Sequence, residues 1–163
     1  MNLIDAAGML ALGTRLQRLS ERLRKEGAQV YKACGIDFEP KWFPVIYTLT
    51  LKPVLGVVEI AEEIGYTHPS TISLLKELEK MKLIRSKKDK VDERKRLIQL
   101  TAKGRQLVEQ MRPVWDGITA ALTAITDTPH NLMAAIREVE EKLETQSFEE
   151  VAKEKMGLTV PRT

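Results

Sequence analysis

Gly65 divides two short segments whose apolar residues recur at helical spacing. Before it, "GVVEIAEEIG" places Val57, Ile60, Ala61 and Ile64 on one face. After it, "HPSTISLLKELEKMK" places Thr71, Leu74, Leu75 and Leu78 on one face. Gly65 stands where a helix needs a left-handed stop, Thr67 where the next needs an N-cap, and Pro69 in a first turn, where a missing N–H costs little. Two helices joined by a tight glycine turn are the punctuation of a helix-turn-helix. Few folds accept that arrangement.

The residues beyond the second helix narrow the choice. Leu83 to Ser86 and Leu97 to Leu100 read as two strands, with Ile98 and Leu100 on one face, around a polar loop crowded with lysine and arginine. A hairpin directly behind a helix-turn-helix is the layout of a winged helix. The loop also holds Asp89, Asp92 and Glu93. A loop that only had to be positive would not carry acids, so its shape must need them.

Long helices flank this centre. Leu12, Leu16, Leu19 and Leu23 repeat at helical spacing, with Arg15, Arg18 and Arg22 on another face, in a helix expected to pass Tyr31 and end near Gly35. In "DFEPKWFPVIYTLTL", Pro40 and Pro44 suit a helix start, and Trp42, Val45, Ile46 and Leu49 its buried side. After "TAKGRQ", Val108, Met111, Trp115, Ile118, Leu122 and Ile125 alternate steps of three and four, a heptad-like seam that invites a second helix. Pro113 is expected to bend it. Thr128-Pro129 is expected to start a further helix with Leu132, Ile136, Val139 and Leu143 on its inner face, before a charged tail.

Charge distribution points to a partner. The net charge is only +3, yet Thr67 to Arg105 holds 12 Lys/Arg against 5 Asp/Glu, and the remainder is net acidic. A basic segment on an otherwise acidic chain suits a polyanion met on one face. A helix of about 10–12 Å diameter fits the DNA major groove. If the apolar stripe packs inward, His68, Ser70, Ile72, Ser73 and Lys76 lie on or near the outer side. Ser and His hydrogen-bond base edges, and Lys76 meets a phosphate. Ile72 is the odd member: it either touches a thymine methyl or widens the core stripe.

Other chemistries lack their signals. The two histidines, His68 and His130, are far apart and no cysteines stand at ligand spacing, so neither a metal nor a cofactor is expected. There is no Walker loop, dinucleotide fingerprint or nucleophile elbow, and nothing argues for an enzyme. No run of about 18 apolar residues is present, so no membrane span is expected. The N-terminus lacks a basic start before its apolar part and reads as a helix, not a signal peptide. The lone Cys34 allows no internal disulfide, which suits a reducing cytoplasm.

From about Leu12 to Leu143 the chain resembles the MarR-type winged-helix transcription regulators, most closely from Val57 to Gly104. The pieces that carry the resemblance are "EIAEEIGYTHPS", "LLKELEKMKLI" and "DKVDERKRLIQLTAKG". The family's wing has an aspartate, another three residues on, an arginine two beyond, and a strand ending Leu-Thr. Here these are Asp89, Asp92, Arg94, Leu100 and Thr101. The resemblance implies a mainly α protein with a small β-hairpin wing, long N- and C-terminal dimerisation helices, and a homodimer reading a pseudo-palindromic operator in double-stranded DNA with half-sites about 10 bp apart. It divides the chain into dimerisation and pocket helices (1–50), a DNA-binding region (51–104), C-terminal dimerisation helices (105–146) and a tail (147–163).

The resemblance also implies roles. Arg94 would enter the minor groove with Lys95 beside it, while Asp89 and Asp92 brace the wing; a guanidinium held by a carboxylate keeps a preset direction. A repressor released by a small-molecule effector is implied, with Trp42, Phe43, Tyr47 and Trp115 as pocket residues. These four are otherwise ordinary core. The chain departs from the family at Val91 and Glu93, where a second wing arginine is frequent, at Lys82, where glycine is frequent, and at Thr71-Ile72 in the recognition helix. Members that sense oxidants carry a cysteine near the start of the first helix, whereas Cys34 lies near its end. The resemblance extends to the front half of MarR–acetyltransferase fusions, without the acetyltransferase domain. Two rivals come from other classes: a winged-helix module that recruits or regulates a separate enzyme, and a small-molecule enzyme that has kept the fold.

Overall fold

The computed structural model describes residues 3–92 and 95–158. Met1–Ile118 form one compact unit and Thr119–Thr163 a second. The first contains α1 (Leu12–Ala33), α2 (Phe43–Leu51), β1 (Leu55–Gly56), α3 (Val57–Ile64), α4 (His68–Lys80), β2 (Ile84–Lys88), β3 (Arg96–Leu100) and most of α5 (Ala102–Ile125). The second holds the last turns of α5, then α6 (Leu132–Thr145) and α7 (Phe148–Lys155).

The helix-turn-helix forms where its punctuation stands. Gly65 closes α3 at φ +67°, a conformation that costs a Cβ-bearing residue about 1–2 kcal/mol. Glu59 reaches back to the Gly56 N–H at 2.6 Å and secures the start of α3. Thr67 caps α4 by accepting from the Ser70 N–H, and Pro69 occupies the first turn. Thr71, Leu74, Leu75 and Leu78 are all buried, and Thr71 is the only polar member of that stripe. Its hydroxyl donates to the Thr67 carbonyl at 3.1 Å, so it enters the core satisfied.

The sheet has one strand more than the sequence suggested. Strands β2 and β3 pair antiparallel with Ile84 opposite Leu100 and Ser86 opposite Ile98. That register puts Ile84, Ile98 and Leu100 on the buried face. Two residues, Leu55 and Gly56, add β1 to the far edge of β3, giving the order β1-β3-β2. A two-residue strand has no periodicity to read, and Lys52-Pro53 just before it looked only like a break.

One core joins these elements. Tyr31, Phe38, Trp42, Val45, Ile46, Leu49, Ile60, Leu78, Ile98, Val108 and Met111 are all buried within it. α1 stops at Ala33 and Gly35 adopts φ +68°, close to the expected end. Outside that core, Leu12, Leu16 and Leu19 along α1 remain exposed.

In the second unit, Leu122, Ile125, Met133, Val139 and Leu143 are exposed. The expected start of α6 at Thr128-Pro129 is corrected to Leu132. The Thr128 hydroxyl donates to the His130 carbonyl at 2.7 Å, and Asn131 takes the capping role, accepting from the Ala134 N–H at 2.9 Å. The tail supplies α7, opened by a reciprocal cap between Ser147 and Glu150.

Candidate nucleic-acid interface

Burial of four side chains on one side of α4 fixes what the other side offers. His68, Ser70, Ser73 and Lys76 are exposed and Ile72 is half-buried. Ser70 is partly committed, because its hydroxyl oxygen accepts from the Thr67 hydroxyl at 2.9 Å. His68, Ser73 and Lys76 therefore form the outward polar row, with Ile72 between His68 and Lys76 at steps of four. That partial burial fits both roles considered for Ile72.

Beside this helix stands the wing. Lys87, Lys88, Lys90 and Lys95 are exposed on it. The turn between β2 and β3 is shaped by its acids. The Asp89 carboxylate accepts from the Val91 N–H at 2.9 Å, an Asx turn in which a side chain stands in for a backbone carbonyl. Two backbone bonds close the loop: Asp89 N–H to the Lys95 carbonyl at 3.0 Å, and Lys95 N–H to the Asp92 carbonyl at 2.9 Å. Asp89 thus answers why a basic loop carries an acid. Arg94, assigned to the wing tip from sequence, lies outside the described residues.

Two ties escaped sequence reading. On β3, Arg96 donates to the Ser86 hydroxyl at 2.6 Å and to the Glu79 carboxylate at 3.2 Å, joining the wing to the C-terminal half of α4. On the other flank of α4, the Glu77 carboxylate accepts from the Trp42 indole N–H at 2.9 Å and pairs with the Lys41 ammonium at 2.8 Å. Lys41, then the indole, hold the Glu77 carboxyl below its ordinary value, and Glu77 raises the Lys41 ammonium in turn. The available signal was acids within a basic segment. Trp42 stands 35 residues from Glu77 and Arg96 stands 17 from Glu79, which no local pattern reveals.

The four aromatic pocket residues divide. Phe43, Tyr47 and Trp115 come together, with Phe43 stacked on Tyr47 at 5.1 Å and Trp115 edge-on to both at 5.6 Å. Phe43 and Tyr47 are exposed and Trp115 is half-buried. Trp42 turns away into the core, edge-on to Phe38 at 5.6 Å. The Trp115 indole donates to the Tyr31 hydroxyl at 3.1 Å. Burial pushes the Tyr31 phenol up, and the bond it accepts opposes that shift. Cys34 is exposed at the end of α1. Among the described residues, no helix is long and apolar enough to cross a membrane.

Several known proteins share this arrangement. No protein-family model matches the chain. It is 27% identical over 139 residues to the uncharacterized HTH-type transcriptional regulator YwaE of Bacillus subtilis (strain 168), covering 83% of this chain and 80% of that protein. It superimposes on the transcriptional regulator MosR of M. tuberculosis, solved in complex with DNA, with a TM-score of 0.70 at 22% identity over 82% of this chain and 96% of that one. A mutant MarR from E. coli, complexed with operator DNA, gives 0.68 at 14% identity over 88% and 99%. The chain has the MarR-type winged-helix fold.

A further solved winged helix bears on regulation. BpsR of Bordetella bronchiseptica, whose DNA binding is regulated by 6-hydroxynicotinic acid, gives a TM-score of 0.66 at 23% identity over 80% of this chain and 91% of that one. In winged-helix terms, α4 stands in the position of the recognition helix and the β2–β3 hairpin in that of the wing.

Proposed function

We propose that this chain is a MarR-family transcription regulator. It binds a pseudo-palindromic operator in duplex DNA as a homodimer in the cytoplasm and represses by occupying it, without catalysing a reaction. The observation that carries this reading is the outward row of α4, His68, Ser73 and Lys76, standing beside a wing with four exposed lysines. The row offers base-edge donors and acceptors, and the lysines supply the sequence-independent phosphate attraction that dominates affinity.

Dimerisation is supported by apolar surface. Leu12, Leu16 and Leu19 on α1 are each more than two-fifths exposed, as are Ile125, Met133, Val139 and Leu143 in the second unit. Such stripes on separate helices suit a second copy of the chain. In this reading residues 1–50 and 105–146 serve dimerisation and 51–104 meet DNA, with Arg94 and Lys95 at the wing and Asp89 and Asp92 bracing it. An effector that favours a dimer shape ill-suited to DNA would release it. The cluster of exposed Phe43 and Tyr47 with half-buried Trp115 offers flat aromatic surface to a small molecule, and BpsR, of the same fold, is described with a heteroaromatic acid.

The test is selection from a random duplex library at two salt concentrations. A pseudo-palindromic motif whose affinity falls steeply with salt is the expected result. Enrichment of no sequence, with weak salt dependence, overturns it in favour of a module that binds a protein partner.

A further inference from the structure

Glu77 lies on the recognition helix, where a negative charge is unfavourable beside phosphates. It is also the only residue of that helix whose side chain reaches both Lys41 and the buried indole of Trp42. Its place on the helix is informative. Residues 70, 73 and 77 fall on one stripe of α4, at steps of three and four. Ser73 of the outward row therefore lies on the stripe that is anchored at its base by Glu77.

The rest of α4 is held in the core by Thr71, Leu74, Leu75 and Leu78, and at the surface by the exposed Glu79–Arg96 pair. Apart from the Thr71 hydroxyl, the core contact is apolar and non-directional, so it sets the rotation of the helix about its axis less sharply than a hydrogen bond does. The ring that donates to Glu77 is itself only 3% exposed. Side chains stand about 5–6 Å from the axis, so a 10° rotation moves a base-reading group by about 1 Å. That is enough to spoil a base contact that needs placement to about 0.5 Å. The indole is fixed from behind as well: Phe38 packs edge-on against it at 5.6 Å, and Tyr31 against Phe38 at 4.8 Å.

We infer that Glu77 and Trp42 are a positioning pair that sets the rotation of the recognition helix, and so the choice of DNA sequence, without touching DNA. This rests on the DNA-binding reading above. The acid is retained on the DNA-facing helix because its carboxylate accepts from the indole, and Lys41 offsets its charge.

The test uses the operator selected by the wild-type protein and an unrelated duplex of equal length. Trp42→Phe keeps an aromatic ring, though a smaller one, and removes the donor; Glu77→Ala removes the acceptor; Glu77→Gln keeps an acceptor oxygen and removes the ion pair. The quantity read is the ratio of operator to unrelated affinity at fixed salt, with melting temperature as the control for folding. Trp42→Phe and Glu77→Ala are expected to lower that ratio about tenfold through loss of operator affinity, and Glu77→Gln to keep most of it. A merely structural role would lower stability and leave the ratio alone. An unchanged ratio in folded Trp42→Phe overturns the pair while leaving the DNA reading intact. A wild-type protein that selects no operator overturns the DNA reading, and the pair falls with it.

Discussion

Gly104 lies directly against the Leu83 carbonyl: a Cβ placed on it would fall 2.1 Å from that oxygen and 3.1 Å from its carbon. This is where α5 leaves the wing. The Thr101 hydroxyl donates to the Lys82 carbonyl at 2.7 Å and accepts from the Gly104 N–H at 3.0 Å, while the Thr101 N–H bonds the Leu83 carbonyl at 3.0 Å. Strand β2 and helix α5 are stitched together through one threonine and kept close by one glycine. The Leu-Thr and following glycine of the sequence motif are thus a joint.

Gly104→Ala has no cheap escape, because the obstacle is backbone and not the end of a flexible side chain. The substitution is expected to destabilise the protein by about 3 kcal/mol, toward the upper end for overpacking. Urea unfolding should show a lower midpoint at unchanged slope. A midpoint equal to wild type would mean that α5 can shift away from β2 without cost.

Lys82→Gly should do the opposite. Lys82 is the only non-glycine residue with positive φ among those described, at +59°. The strain of a Cβ there is about 1–2 kcal/mol, and the extra freedom of glycine in the unfolded chain returns part of it. A net gain of about 1 kcal/mol is expected by thermal or urea unfolding. The glycine that the family usually carries is the unstrained choice, and Lys82 marks a place where this chain tolerates strain.

The range of each interaction decides how far the sequence could be read. Gly65, Thr67 and Pro69 act within one or two turns, so both helices of the helix-turn-helix were legible. The strands were legible because Ile98 and Leu100 alternate against a buried face. What failed was non-local. Nothing near Glu77 announces Trp42, nothing near Glu79 announces Arg96, and β1 exists only because β3 is beside it. Thr128 looked like a cap, but Asn131 competes for that role three residues on and takes it. Among the candidate pocket residues, Trp42 was legible as the buried side of its helix, but nothing local showed that Phe43, its neighbour, faces outward.

The wing acids separate by substitution. Asp89→Ala removes the acceptor for the Val91 N–H, whereas Asp89→Asn keeps an acceptor oxygen and removes only the charge. Exchange of the Val91 amide is expected to quicken about tenfold in the alanine variant and to change little in the asparagine variant, with global stability nearly unaltered in both. Equal exchange in the two variants would show the carboxylate to be a solubilising charge and no part of the turn.

Glu77 and Lys41 predict a pH signature. The Glu77 carboxyl is held below its ordinary 4.5, chiefly by Lys41, so the stability it contributes is present above 4.5 and lost as pH falls through the depressed value. The Lys41 ammonium is held above its ordinary 10.5, chiefly by Glu77, so its contribution is present below 10.5 and lost as pH rises through the raised value. The difference in urea midpoint between wild type and Glu77→Gln should therefore be flat from about pH 5 to 9 and shrink on the acid side. A difference that changes steadily across neutral pH would assign the effect to another group.

Base choice and phosphate attraction should come apart along the interface. Lys95 on the wing and Arg94 beside it in sequence are assigned to backbone and minor-groove contact, so replacing either with alanine is expected to weaken operator and unrelated DNA alike and to reduce the salt slope by about 1. Ser73 and Ile72 are on or at the edge of the outward face of α4. Ser73→Ala and Ile72→Ala should leave unrelated DNA almost untouched and change which operator variants are preferred, by about 1–3 kcal/mol at the contacted base pair. For Ile72 the outcome also decides between its two roles. A shift away from thymine at one position, at unchanged melting temperature, makes it a groove residue. A lower melting temperature with the same preferred operator makes it the outermost member of the core stripe.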